Sequence, residues 1–305
     1  MTLLDRAIVR LLPAVPKPVV QRFSARYIAG HALDDAVRTV HDLNRSGKMA
    51  TIDVLGEEVD REAGARAIAQ EYGRVFDEIE RNRLDSNVSV KLTALGLGLS
   101  YAVCRANLDE VVRRAAAHGN FVRIDMEDSS TTDDALRLYR ELRAAGHDNV
   151  GVVLQAHLRR TLADIEELAE LRPNVRLCKG IYVEPSSLAF ADAEAIRANF
   201  VRCLDALFGA GAYVGVATHD EWLIGEALRL LGEHGLEPAE YEFQMLLGVR
   251  EQRATQLVRE GHRLRVYVPY GEQWYAYSLR RLQENPAMAG TVARATVGRV
   301  FRRDG

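Results

Sequence analysis

The sequence predicts an α/β fold: a (β/α)8 TIM barrel, distorted, with an N-terminal helical arm. Three observations carry this. Eight short, β-branched apolar runs recur along the chain, amphipathic helical patterns separate them, and the 305 residues contain no linker or low-complexity segment. Strands of a parallel sheet are covered on both faces and therefore read as apolar runs alternating with helices. Single barrels commonly reach this length.

In chain order, residues 1–44 are expected to form the arm and residues 45–305 the catalytic barrel. Residues 1–12 show apolar positions at helical spacing and stop near Pro13. Residues 19–28 and 32–43 follow, the last with the stripe Leu33, Val37, Val40 and Leu43. These read as helices covering a barrel end, or as a surface helix that touches a membrane or a partner. Strands are expected at 51–55, 88–92, 121–126, 151–155, 175–178, 213–217, 241–246 and 264–268. Helices are expected at 61–79, 101–117, 133–145, 159–170, 187–208, 221–234 and 250–260. After the last strand the chain turns at Pro269–Gly271 and enters an eighth helix ending before Pro286. On it Tyr277, Arg280, Arg281 and Glu284 recur at spacings of three and four and so share one face. Adjacent guanidinium groups can grip one carboxylate, and Glu284 can hold Arg280 in place or meet a substrate cation.

Composition narrows the function classes. A net charge of −3 gives no reason to expect nucleic-acid binding. Cys104, Cys178 and Cys203 lack motif spacing and are expected as free thiols in a reducing compartment. No apolar run approaches the ~20 residues of a membrane span, and no signal peptide is read at the N-terminus. A cytoplasmic location is expected, with peripheral contact at the inner face of the cell membrane. Only four of the 40 basic residues are lysines, namely Lys17, Lys48, Lys91 and Lys179. Two of them, Lys91 and Lys179, follow strand-like runs.

In a barrel of this kind the active site forms at the C-terminal strand ends. Those ends carry Glu57, Lys91, Asp125, Met126, Glu127, Gln155, His157, Arg176, Lys179, Gly180, Tyr182, Thr218, His219, Gln244, Tyr267 and Tyr270. Each alone has a structural explanation, such as a cap or a satisfied core histidine. Together they place lysine, acid, amide, imidazole and arginine on one rim, as a small-molecule site would. Cofactor motifs are otherwise absent. Gly96 and Gly98 begin a dinucleotide fingerprint that Tyr101 breaks, and His157 and His219 lack zinc-ligand spacing, so no metal is expected.

The segments VSVKLTALGL, VRIDMED, VVLQAHLRRT, VRLCKGIYVEP, VGVATHD, YEFQMLLGVR, RVYVPYG and YSLRRLQENP occur in this order, about one per strand. They resemble the proline dehydrogenase family, in its short bacterial monofunctional form. The resemblance implies FAD-dependent oxidation of L-proline to Δ1-pyrroline-5-carboxylate by hydride transfer to flavin N5. Electrons would pass to a quinone and the product to a pyrroline-5-carboxylate dehydrogenase, as the first step of proline catabolism. By position, Lys91, Arg280 and Arg281 would bind the substrate carboxylate. Tyr267, Tyr277 and Leu246 would wall the ring, and Glu284 would orient the arginines. Asp125 and Arg176 would be the catalytic acid and the arginine beside the flavin. Met126, Gln155, Lys179, Gly180, Ile181, Thr218 and His219 would contact FAD. Glu57 would pair with Arg176 as a lid closes. Two positions depart from the family: KGIY stands for KGAY, and His157 stands where tyrosine is usual. A Schiff-base aldolase using Lys179 or Lys91, oxidation of a related cyclic amino acid such as 4-hydroxyproline, and a non-catalytic binding barrel are the competing readings.

Overall fold

The computed structural model describes residues 26–56, 59–275 and 278. Helix α1 (Leu33–Arg45) leads into eight strands with seven helices between them: β1 (Met49–Val54), α2 (Glu62–Arg81), β2 (Ser86–Val90), α3 (Tyr101–Ala117), β3 (Val122–Ile124), α4 (Thr132–Ala144), β4 (Val150–Gln155), α5 (Thr161–Leu168), β5 (Asn174–Cys178), α6 (Ala193–Gly209), β6 (Tyr213–Ala217), α7 (Glu221–His234), β7 (Tyr241–Leu246), α8 (Glu251–Arg259) and β8 (Leu264–Tyr270). The strands close in sequence order, every pair parallel, with β8 returning to β1. The (β/α)8 barrel is therefore present. Residues 1–25, Glu57 and all but the first residues of the helix expected beyond β8 lie outside the described residues.

Alternation along the strands explains the closure. Ile52, Val88, Val90, Val122, Ile124, Val175, Leu177, Val214, Val216, Phe243 and Val268 are fully buried in the core between sheet and helices. The positions between them carry Asp53, Ser89, Arg123, Arg176, Glu242, Gln244 and Arg265, also buried. These reach across the barrel: Arg123 on β3 donates to the Asn174 carbonyl on β5 at 2.6 Å, and Arg176 on β5 reaches Gln244 on β7. The interior is thus a polar lattice, where the runs read as uniformly apolar. Gly151 and Gly215 make room for it, since a Cβ would lie 2.4 Å from Arg123 Nη1 at one and 2.3 Å from Gln244 Nε2 at the other.

Helix α1 buries Ala36 and Val40 and packs against β1 and β8, sealing the seam where the barrel closes. Helix α6 begins at Ala193 rather than near residue 187. Asp192 caps it by accepting from Ala195 N at 2.9 Å, while residues before it are tied to the β4–α5 turn. Ala189 pairs with Leu158, and Phe190 N donates to the His157 carbonyl at 2.8 Å. Tertiary pairing overrides the local helical pattern there.

Candidate active site

Five side chains from five strands form a hydrogen-bonded chain across the upper interior. Lys91, just beyond β2, donates through Nζ to Asp53 Oδ2 at 2.7 Å and to the Tyr267 hydroxyl at 3.3 Å. Tyr267 on β8 donates to Asp125 Oδ2 at 2.9 Å, and Arg176 Nη1 donates to Asp125 Oδ1 at 2.6 Å. Arg176 also reaches Ser89 Oγ at 3.0 Å and donates through Nε to Gln244. Both cations lie over the Tyr267 ring, Lys91 Nζ at 6.0 Å and Arg176 Cζ at 5.3 Å from its centroid.

A second set of pairs supports this chain from below. Gln244 donates to Glu242, whose carboxylate is gripped by Arg265 at 2.8 and 3.0 Å, and Arg265 Nη1 reaches the Ala50 carbonyl at 2.6 Å. Burial works to raise the Glu242 carboxyl, but Arg265 outweighs it and holds the group below its ordinary range. Arg123 has only carbonyl and amide partners. Burial, with Arg176 adding repulsion, brings its guanidinium down to about 9.

Above the chain lies a cavity of about 760 Å³, within the range of small-molecule and cofactor sites. Met126, Gln155, Lys179, Gly180, Ile181, Thr218, His219, Leu246 and Tyr267 all line it. Its inner surface is mixed: Met126, Ala217, Met245 and Leu246 are apolar, while Lys179, Arg197 and Arg250 bring positive charge. Asp220 organises the mouth. It caps α7 through Trp222 N and accepts from Arg197 Nε at 2.9 Å and Lys179 Nζ at 3.4 Å. His219 accepts at Nε2 from Leu246 N, 2.9 Å away, joining the ends of β6 and β7. Gly180 has φ +97°, and its missing Cβ lets the His157 ring lie against it.

Of the rim residues named in the sequence, Met126, Gln155, Lys179, Gly180, Thr218, His219, Gln244 and Tyr267 line this cavity, and Lys91, Asp125 and Arg176 belong to the chain beneath it. Glu127 instead binds Thr93, Tyr270 binds Glu71, and His157 packs against Gly180. Glu57, Tyr277, Arg280, Arg281 and Glu284 lie outside the described residues. Sequence reasoning missed Asp53, Glu242, Arg265, Arg197 and Asp220. The first three share a signal, a charged residue at alternate positions of an otherwise apolar strand, as in TIDV, YEFQML and LRVY. Asp220 follows the capping rule, an aspartate directly before a helical pattern. Arg197 carries no signal that separates it from the other arginines.

The described groups suit a flavin dinucleotide. The apolar panel matches a ring system, and the cations at the mouth match a pyrophosphate. Two Schiff-base conditions fail, in contrast. Burial works to lower Lys91, but Asp53 and Asp125 prevail and raise its ammonium above the ordinary range, the opposite of what an amine nucleophile needs. Lys179 is 43% exposed and paired with Asp220.

The profile of the family described as "Proline dehydrogenase" matches residues 36–294. "Proline dehydrogenase 1" of Bacillus subtilis subsp. natto is 40% identical over 267 residues, covering 88% of both chains. "Proline dehydrogenase" of Deinococcus radiodurans is 36% identical over 271 residues, covering 88% of this chain and 87% of that one. Among solved structures, proline utilization A (PutA) from Bdellovibrio bacteriovorus, inactivated by N-propargylglycine, superposes with a TM-score of 0.83 at 24% identity. It covers 92% of this chain but only 36% of the longer PutA chain, and shows the shared fold. The ordered strand-end motifs, the closed barrel and the extent of these matches agree: this chain belongs to the proline dehydrogenase family and is an oxidoreductase.

Proposed function

We propose that the protein oxidises L-proline to Δ1-pyrroline-5-carboxylate with FAD in the β4–β7 cavity. The observation that carries this is the chain from Lys91 through Tyr267 and Asp125 to Arg176, set against a cavity with apolar walls and a cationic mouth. Met126, Gln155, Lys179, Gly180, Ile181, Thr218 and His219 would hold the cofactor, with Arg176 beside its ring system. FAD, when bound, supplies the two-electron acceptor for the hydride that leaves the ring carbon next to nitrogen.

The chain's own residues bind and orient. Lys91, with Arg280 and Arg281, holds the substrate carboxylate, and Glu284 orients the arginine pair. Leu246, Tyr267 and Tyr277 enclose the pyrrolidine ring and fix the reacting carbon, which is the larger part of catalysis when two partners must only be aligned. Asp125 fixes Arg176, whose positive charge favours an anion forming above it. Glu57, which lies outside the described residues, would pair with Arg176. The proton of the substrate ammonium leaves to water, because each nearby carboxylate already serves a protein donor: Asp53 takes Lys91, Asp125 takes Tyr267 and Arg176, and Glu127 takes Thr93.

Electrons then pass to a quinone, so the enzyme works against the inner face of the cell membrane, with the arm ahead of α1 as the peripheral contact. A pyrroline-5-carboxylate dehydrogenase consumes the product. The deciding experiment is anaerobic: purified protein should show flavin absorbance that L-proline bleaches and open-chain amino acids do not. A colourless protein, or one bleached equally by all, overturns the reading. Deleting residues 1–25 should preserve this bleaching and reduce quinone-linked turnover on vesicles.

A further inference from the structure

Asp53 is fully buried near the end of β1, beside Ser89 of β2 and Pro269 of β8, and the function proposed above gives it no role beyond accepting from Lys91. Its Oδ2 accepts from Lys91 at 2.7 Å, while Oδ1 has no hydrogen-bond partner among the described residues. The charge of Asp53 is therefore met chiefly by the Lys91 ammonium, with the Tyr267 hydroxyl also easing it. Lys91 depends on it in turn. The other carboxylates near Lys91 are committed elsewhere, Asp125 to Arg176 and Tyr267, Glu127 to the Thr93 amide at 3.0 Å. An ammonium has three donors. Asp53 and Tyr267 take two, which leaves one for a ligand in the cavity that Tyr267 lines.

We infer that Asp53 is a positioning residue for substrate recognition: it fixes Lys91 in place as a cation and so sets how tightly the substrate carboxylate is held. This rests on the proposed binding of a ring carboxylate at Lys91. Removing one member of a buried pair leaves the other charge unmatched, and a buried lysine without a counter-ion loses its proton more easily. The groups facing the pair are Asp125 and Glu127 beyond β3, Tyr267 and Tyr270 on β8, and Tyr72 on α2. The two carboxylates there are too engaged to take over from Asp53.

The test uses the full-length, FAD-loaded protein and cyclopentanecarboxylate, a ring carboxylate with no amine to titrate. Its Kd is measured by calorimetry against pH for wild type and Asp53→Asn. The ratio of variant to wild-type Kd should exceed one and climb with pH, with a slope approaching about tenfold per pH unit as Lys91 deprotonates. A ratio that stays constant across pH, or near one, overturns the inference. Should Asp53→Asn not fold, Asp53→Asn with Lys91→Met removes both charges together, which buried pairs tolerate better. That double variant should bind the ligand at least as tightly as Lys91→Met alone, which leaves the Asp53 charge unmatched, and a further loss of affinity overturns the inference as well. The two levels of argument fail separately. Wild type that neither binds this ligand nor oxidises proline removes the functional reading and the inference with it. Wild type that does both while the ratio stays flat removes only the inference.

Discussion

The barrel interior and the cavity mouth are both built from ion pairs, yet they answer to different physics. Inside, Arg265 and Glu242 are nearly inaccessible, and the Arg176–Asp125 pair is 9% and 13% exposed. At the mouth, Lys179 and Arg197 are 43% and 33% exposed against the same Asp220. A buried pair must repay the loss of water from both groups, so it contributes little net stability but is costly to halve. An exposed pair is screened and can lose either member cheaply. The interior therefore reads as fixed geometry for chemistry, and the mouth as an adjustable grip.

The sharpest way to break this comparison is Glu242→Ala. Arg265 would keep its charge in the barrel floor, with the Ala50 carbonyl and Met49 as its remaining hydrogen-bond partners among the described residues. Stability should fall by about 3–5 kcal/mol, read from denaturant unfolding at constant m-value. A loss under about 1 kcal/mol would mean that the interior behaves like the surface. Asp125→Ala comes next. It strands Arg176 and removes the acceptor of Tyr267, so the transition-state stabilisation read from kcat/KM for proline should fall by about 2–4 kcal/mol, with flavin content near normal. Retained kcat/KM would show that Arg176 needs no carboxylate to hold its place.

The same contrast explains what was legible in the sequence. Residues such as Val88, Val90, Val175 and Val216 announce strands because one face of each strand is buried against helices, and that burial leaves a local apolar signature. Strand order followed from these runs. Interior partners are not local. Asp53 finds Lys91 across β1 and β2, Arg123 finds Asn174 across β3 and β5, and Glu242 finds Arg265 across β7 and β8. No spacing rule encodes such pairs, and each charged residue alone reads as a rim position or a strand edge. Many rim residues could be placed near one another because strand ends are predictable, whereas their interior partners could not.

Tyr267→Ser sharpens the comparison within the interior. Its hydroxyl is committed to Asp125 and Lys91, so the ring is held as a rigid wall beside the proposed pyrrolidine site. A ring hydroxyl on the substrate would meet that wall and lack a partner, costing roughly 1–3 kcal/mol. Wild type should therefore prefer L-proline over trans-4-hydroxy-L-proline by at least about tenfold in kcat/KM. Serine is too short to reach Asp125, which leaves Oδ2 open to the incoming hydroxyl. The ratio should narrow or invert while proline activity also falls. A serine variant that loses proline activity without any relative gain on hydroxyproline removes Tyr267 from the specificity argument.

The smallest effect should come from Arg197→Ala at the mouth, and its dependence on salt and pH matters more than its size. Burial works to raise the Asp220 carboxyl, but Arg197 and Lys179 outweigh it and hold the group below its ordinary range. A depressed carboxyl contributes stability above its unfolded pKa, and that contribution is lost as pH falls through the lower, folded value. Wild type and variant should therefore differ near neutral pH and converge in acid, below about pH 4, where an unfolded aspartate is largely protonated. Raising salt from about 0.1 M to 1 M shortens the Debye length from roughly 10 Å to 3 Å and should shrink the same difference. FAD affinity should show the parallel trend, weakened in the variant at low salt and less so at high salt, if the mouth holds the pyrophosphate. Glu242→Ala should be nearly indifferent to salt. Equal salt dependence in the two variants would mean that solvent reaches both sets of pairs alike, and the distinction between a fixed interior and an adjustable mouth would fall.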